Sequence, residues 1–303
     1  MRNQNNTSTL CLYHSDADGQ GAAAIVRHKL GPDVLLHPIN YGDPVPWPLI
    51  HHAEQVIIVD FSLPKEDMKR IAQVKDLIWI DHHQSAIQEH GQLAKAWDGL
   101  RDTSQAGCVL TWTYFYPDQQ VPRGIQLIGD RDIWRWSLEE TGPFNEGLYH
   151  RDSKPENDQL WKPLLEDDQE ILQEIIQEGR ILYQARLEKI NRTVEAYGYD
   201  VNFEGHHTLA INHRGNGDLG ARIRELGYEV GYCYVDLIAD GRLVTKVTLY
   251  SDQLDVSVIA QKFGGGGHPG AAGFQFPRGE KPFPPQSSVT FAVNKKNPPQ
   301  ENS

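Results

Sequence analysis

The sequence predicts an α/β protein: an N-terminal domain on a mostly parallel sheet, a connecting helix, and a smaller C-terminal mixed α/β domain. Three observations carry this. In the first half, strand-like apolar runs alternate with helix-like segments, the pattern of a parallel sheet covered on both faces. A long central stretch has helical spacing of its apolar residues. Strand-like runs then return, with one helix among them. A chain of 303 residues also exceeds one average domain. The expected boundaries are 8–165 for the first domain, 166–200 for the connecting helix, 201–280 for the second domain and 281–303 for a mostly disordered tail.

STLCLYH (8–14) reads as the first strand, and the Ala-rich segment 19–31 as a helix ended by Gly31. DVLLHPI (33–39) is a second strand, and QVIIVDFSL (55–63) is a buried one by its run of Val and Ile. KEDMKRIAQV (65–74) reads as a helix, LIWID (77–81) as a strand and SQAGCVLTWTYFY (104–116) as a helix. In 167–197, Ile171, Leu172, Ile175, Ile176, Leu182 and Leu187 fall near helical spacing with charges between them, which predicts a long amphipathic helix. Strands are then expected at 207–212, 229–238 and 243–250, with a helix at 219–227 between the first two. The segment DVSVIAQKF (255–263) reads as a last helix, with a final strand after the glycine run that follows.

Hydrophobic residues make up 39% of the chain, enough for real cores. The net charge is −12 and the pI about 5.5. That balance argues against stable binding of duplex nucleic acid, which needs a basic surface. It leaves room for a short anionic substrate held by cations and a few local donors. The three cysteines stand far apart in apolar runs and form no CxxC pair, so they read as buried, reduced thiols. The N-terminus lacks an apolar signal core, and no run approaches the ~20 apolar residues of a membrane helix. The expectation is a soluble cytoplasmic protein without a membrane partner; a homodimer is compatible with it.

Four acidic or histidine-bearing spots fall where a strand is expected to end. His14, Asp16 and Asp18 follow the first strand, Asp60 ends QVIIVD, and Asp81, His82 and His83 end LIWID. Asp130 and Asp132 follow the apolar run GIQLIG (124–129). One Asp after a strand usually caps the next helix or makes a turn. Four such spots in one α/β domain point elsewhere, because the carboxyl ends of parallel strands gather along one edge where ligands bind. Carboxylates that close would repel unless cations neutralised them. Mixed His and carboxylate ligands without thiolate suit Mn²⁺, Fe²⁺, Co²⁺ or Zn²⁺. Five or six ligands exceed one structural zinc and suit two ions bridged by a carboxylate. In an extended HxDxD segment alternate residues share a face, so His14, Asp16 and Asp18 could reach one cavity.

HSDADG, VD, DHH and GDRD together resemble the four motifs of the DHH phosphoesterases, which include RecJ-type exonucleases, nanoRNases, cyclic-dinucleotide phosphodiesterases and manganese pyrophosphatases. The stretch Phe263 to Gly273, FGGGGHPGAAG, is similar to the GGGHxxAAG signature of the DHHA1 substrate-binding domain. The matches run from residue 10 to 276. The resemblance implies that His14, Asp16 and Asp60 ligate one metal. It implies Asp18, Asp60, His82 and Asp130 for the other, with Asp60 bridging and Asp132 a competitor of Asp130. Asp81 would orient His82, and His83 would sit near the substrate phosphate. The two divalent ions would be Mn²⁺ first, with Mg²⁺, Co²⁺ or Fe²⁺ as alternatives. Hydrolysis would use a metal-activated water with no covalent protein nucleophile.

Gly265, Gly266, Gly267 and His268 are the expected phosphate contacts, since glycines let backbone N–H groups approach an anion. Many DHHA1 domains carry an Arg where this chain has Tyr250. Tyr250 is therefore expected either to stack on a base or to pack against the sheet. Arg222, with the segment around Asn212 and Arg214, would supply positive charge instead, and Arg131 and Arg135 would line the cleft. The expected substrate is a short single-stranded oligonucleotide or a linear dinucleotide, held between the domains. The alternatives are a cyclic (di)nucleotide, a small nucleotide phosphomonoester, or nucleotide sensing without hydrolysis.

Overall fold

The computed structural model describes residues 8–239 and 241–279. The expected disordered tail lies outside them. The chain divides into two units, Met1–Gln184 and Ala185–Ser303.

The first unit begins with β1 (Thr9–His14), α1 (Ala17–Leu30), β2 (Leu35–Ile39), α2 (Trp47–His52), β3 (Gln55–Val59), α3 (Lys65–Val74) and β4 (Asp76–Ile80). After it come α4 (Gln84–His90), a 3₁₀ turn at Gly91–Ala96, α5 (Gly107–Phe115), α6 (Arg123–Asp132), α7 (Thr141–Tyr149) and α8 (Asp158–Leu165). The helix α9 (Gln169–Tyr197) crosses the unit boundary.

The sheet is fully parallel in the order β2-β1-β3-β4. Its strands alternate between two cores, as a strand covered on both faces must. Cys11, Tyr13, Ile57, Val59, Ile78 and Ile80 face one apolar cluster. Leu10, Leu12, Val56, Ile58, Leu77 and Trp79 face the other. The register pairs Tyr13 with Val59 and Val59 with Ile80. The next residue of each strand, His14, Asp60 and Asp81, therefore falls in one row at the carboxyl edge.

The segment expected to be a strand before Asp130 is helical: α6 runs Arg123–Asp132, burying Ile125, Leu127 and Ile128. Its apolar run carried no punctuation to separate a short buried helix from a strand. The long amphipathic helix is present and serves two cores. Leu172, Ile175 and Ile176 belong to the first unit's cluster, and Ile190 and Val194 to a cluster of the second.

The second unit contains β5 (Gly198–Phe203), β6 (His206–Ile211), α10 (Gly217–Glu225), β7 (Val230–Ala239), β8 (Arg242–Tyr250), α11 (Val256–Lys262), β9 (Gly266–His268) and β10 (Ala271–Pro277). The sheet order is β5-β6-β7-β8-β10-β9. Among the described residues of this sheet only β6 and β7 pair in parallel, joined through α10; the other neighbours are antiparallel. Sequence reading did not anticipate β5. It pairs with β6 across Glu204 and Gly205, whose φ values of 54° and 92° make the two-residue left-handed turn that tight hairpins favour. No helix of the described residues is long and apolar enough to cross a membrane. All three cysteines are free and buried.

Candidate metal centre

The row at the sheet edge sets the site. Asp60 leaves β3 with φ at 52°, in the left-handed region, and its backbone N–H donates to the Ile80 carbonyl at 2.9 Å. That turn aims a carboxylate that is 1% exposed back over the sheet edge. Its two oxygens face different partners. Oδ2 lies 3.7 Å from His14 Nδ1, which stands 2.8 Å from Asp16 Oδ2. Oδ1 lies 3.1 Å from His82 Nε2. The same His82 nitrogen lies 3.6 Å from Asp18 Oδ2 and 3.3 Å from Asp132 Oδ2.

The structure thus assembles His14, Asp16 and Asp60 as one potential ligand group, and Asp18, His82 and Asp132 as another. Asp60, His82 and His83 form a third overlapping set. Asp60 touches both of the first two groups.

Asp18 is placed by two helices. It lies in the first turn of α1, and its carboxylate accepts hydrogen bonds from the backbone N–H groups of Gly107 at 2.7 Å and Cys108 at 2.8 Å, at the start of α5. A helix N-terminus offers such donors to an anion. Gly107 is required there: a Cβ would stand 2.6 Å from the Asp60 Cβ and 3.0 Å from Asp18 Oδ2. Asp16 caps α1, accepting from the Gly19 N–H at 3.0 Å, while its other oxygen meets His14.

Asp81 has a different partner from the one expected. Its Oδ1 accepts from the backbone N–H groups of His82 at 2.8 Å and His83 at 3.1 Å, and lies 2.8 Å from His83 Nδ1. It orients the His83 ring, not that of His82.

The structure does not bring Asp130 to the cluster. Its carboxylate accepts from Ser137 N (3.0 Å) and Oγ (2.6 Å), Leu138 N (3.2 Å) and Thr141 Oγ1 (2.5 Å). Asp130 ties down the loop after α6, and Asp132 reaches the ligand cluster in its place. Two positions on a helix differ by about 200° in direction, so only one of the pair can face the sheet edge.

The electrostatics are those of crowded, buried acids. Burial, with Asp16 and Asp132 nearby, pushes Asp60 up to about 7 although His14 opposes the shift. Burial and Asp60 raise Asp18, and burial and Asp18 raise Asp132. The carboxylates beside it, Asp16 at 2.8 Å and then Asp60 at 3.7 Å, raise His14 to about 10 although burial opposes the shift. Burial pulls His83 down, but Asp81 and the other carboxylates outweigh it and lift His83 to about 9. Both Asp60 oxygens and Asp132 Oδ2 are buried without a hydrogen-bond donor. A buried carboxylate left so is costly, and divalent cations are the partners that would satisfy this set of oxygens and imidazoles.

In the second unit, Gly266, Gly267 and His268 are exposed on β9, and Gly265 precedes them. Gly267 has φ at 146°, and a Cβ there would stand 2.6 Å from the Ala272 Cα, so this segment can lie against β10 only as glycine. Tyr250 does not offer a ring face for stacking. It is 7% exposed and packs among Leu209, Ile211, Leu219, Ile223 and Cys233. Its ring fills the space beside Gly215 and Gly220, where a Cβ would come within 2.9 and 2.6 Å of it. Arg222 is paired within its own helix, Nη1 lying 3.0 Å from Glu225 Oε2.

Comparisons with known proteins give a consistent outcome. No family model matches the chain. An uncharacterised protein of Acanthamoeba polyphaga mimivirus is 30% identical over 235 residues, covering 74% of this chain and 53% of its own. The chain therefore spans about half the length of that relative. Oligoribonuclease NrnB of Bacillus subtilis (strain 168) is 22% identical over 296 residues, covering 86% of this chain and 71% of NrnB. Among solved structures, a DHH domain described as a member of the s1p family of ribosomal proteins superposes with a TM-score of 0.57 at 16% identity, over 88% of this chain and 82% of that one. A pGpG-specific phosphodiesterase, PggH of Vibrio cholerae, gives 0.53 at 12% identity, over 90% and 94%. These structural likenesses establish the fold.

Proposed function

We propose, for a chain that belongs with the DHH-domain proteins and has their two-part DHH/DHHA1 fold, that it is a metal-dependent phosphodiesterase acting on short single-stranded oligonucleotides or linear dinucleotides. The observation that carries this reading is the placement of Asp60, one oxygen toward His14 and the other toward His82. A carboxylate shared in this way by two ligand groups is what a two-cation site needs.

His14, Asp16 and Asp60 would hold one cation, and Asp18, Asp60, His82 and Asp132 the other, with Mn²⁺ first and Mg²⁺, Co²⁺ or Fe²⁺ as alternatives. When bound, the cations supply a water of lowered pKa and neutralise charge on the phosphate. The residues do the rest. Asp81 holds the Nδ1 side of His83, which leaves Nε2 for substrate, and its carboxylate favours the protonated ring. In hydrolysis a water oxygen bonds to phosphorus as the bond to the leaving nucleoside oxygen breaks. The water releases one proton and the leaving oxygen takes one up; we assign that second proton to His83. Gly265, Gly266, Gly267 and His268 are assigned to a substrate phosphate, through backbone N–H groups and the imidazole.

Two observations support a short, single-stranded substrate. The net charge of −12 disfavours a long phosphate backbone. NrnB, similar over most of this chain, is named an oligoribonuclease. The test is hydrolysis with Mn²⁺ of an RNA dinucleotide, a five-mer, a 24-mer and a cyclic dinucleotide, wild type beside Asp60→Asn. Asn keeps the shape and tolerates the left-handed backbone. Fastest turnover of the shortest linear RNA, lost in the variant, is the expected result. Preference for the cyclic compound would move the protein to cyclic-nucleotide hydrolysis. Absence of any turnover with metal bound would overturn the reading.

A further inference from the structure

Beside the ligand cluster the first unit holds a cavity of about 470 Å³. Asp16, Asp18 and Asp132 line it, and so do Arg131, Trp134 and Tyr149. Its size is in the range that holds one small ligand such as a nucleotide. We propose that this cavity is a mononucleotide subsite, with Trp134 and Tyr149 as its base-holding walls and Arg131 as its phosphate contact. The proposal rests on the phosphodiesterase reading and specifies its substrate: a base must stand within one nucleotide of the bond that is cut.

Three features of the cavity carry the argument. The first is its aromatic lining. Trp134 is 38% exposed and Tyr149 75% exposed. Large aromatic faces left open beside a polar cluster suit stacking on a base, which every base can accept.

The second is charge. Arg131 precedes Asp132 directly, yet among the described residues its guanidinium has no ion-pair or hydrogen-bond partner. A chain with a net charge of −12 offers many carboxylates. A cation left unpaired beside a cluster of acids is available to a phosphate, which guanidinium binds well.

The third is how firmly the loop is held. Trp134 has φ at 57° and Trp136 at 52°, a region that L side chains rarely adopt. Asp130 fixes that geometry from beneath. Its carbonyl accepts from Arg135 N at 2.9 Å and Trp136 N at 3.3 Å, in addition to the four bonds its carboxylate receives. The Trp136 ring stands edge-on to Trp134 at 5.3 Å and limits its rotation. Asp130 is thus a positioning residue for the wall of the cavity. An aromatic side chain that merely faced solvent would need no such support.

The test compares a dinucleotide with its abasic analogue, which keeps the same sugar and phosphate, in wild type, Trp134→Ala, Tyr149→Ala and Arg131→Ala with Mn²⁺. The wild type should prefer the base-bearing substrate. In Trp134→Ala that preference should fall roughly tenfold to a hundredfold, chiefly through KM, the range that loss of one stacked base supports. Tyr149→Ala, at an exposed position outside the core, should move it in the same direction by less. Arg131→Ala should weaken both substrates alike, with partial recovery in Arg131→Lys. An unchanged preference in both aromatic variants would overturn the proposal. If the wild type cuts neither substrate, the phosphodiesterase reading fails separately. Equilibrium binding of 5′-AMP to wild type and Trp134→Ala then decides the subsite: weaker binding in the variant supports it, and equal or absent binding overturns it.

Discussion

Gly107 leaves no room for a side chain against Asp60. A Cβ at position 107 would stand 2.6 Å from the Asp60 Cβ. The start of α5 thereby does two things at once. Its N–H groups bind Asp18, and its bare backbone lets Asp60 lie between the two ligand groups.

Gly107→Ala should therefore separate folding from metal binding. The overpacking should destabilise the protein by about 1–3 kcal/mol, while displacement of Asp60 and Asp18 disturbs two ligands together. Calorimetric titration of Mn²⁺ into a variant that circular dichroism shows to be folded should give at least roughly tenfold weaker binding, as found when metal-ligand support is lost. Wild-type affinity in that variant would mean that Asp60 is not held by this contact.

Asp130→Asn and Asp132→Asn should give opposite profiles. Asp130 receives four hydrogen bonds, and an amide cannot accept them all. Asp130→Asn should lower stability by about 1–3 kcal/mol, seen in thermal unfolding. Asp132 is half-buried, with one buried oxygen lacking a donor and a raised pKa, so Asp132→Asn should leave metal-free stability near neutral pH unchanged or higher. It should abolish metal-dependent hydrolysis. Activity surviving in Asp132→Asn and lost in Asp130→Asn at equal stability would restore Asp130 as the ligand.

Stability without metal should fall as pH rises. Asp60 is raised from 3.8 to about 7 on folding. Between those values the folded state keeps a proton that the unfolded state has released, so stability drops through that window. His14 is raised from 6.5 to about 10; its contribution is complete below 6.5 and is lost as pH rises toward 10. The two effects have the same sign. Chelator-treated protein should melt roughly 5 °C or more lower at pH 8 than at pH 5. The gain from Mn²⁺ should grow over the same interval, because cations compete with those protons. Melting curves with and without Mn²⁺ at four pH values check both slopes.

The sheet-edge half of the site was legible because strand-to-ligand transitions are abrupt: Val59 to Asp60 and Ile80 to Asp81 each switch from core to acid in one step. The choice between Asp130 and Asp132 was not legible. It depends on the phase of α6, and GIQLIG gives no period long enough to show one. Which of its two expected places Tyr250 takes was not legible for a related reason. What hides its ring is the absence of side chains at Gly215 and Gly220, thirty or more positions away in the sequence. The partner of Asp81 also escaped, since the adjacent His82 and His83 are chemically equivalent until a backbone turn distinguishes them.

The glycine-rich strand β9 has a bearing on solubility. Among the described residues it is the end strand of its sheet, three residues long, and two of the three are glycine. Open sheet edges recruit other chains, and short, poorly strand-forming edges resist this. A Val or Ile at Gly266, where no atom stands within 4 Å of an added Cβ, would fit the folded unit without a clash. It would also turn this edge into a surface that other molecules could extend, so the variant should remain native in dilute solution and self-associate on concentration.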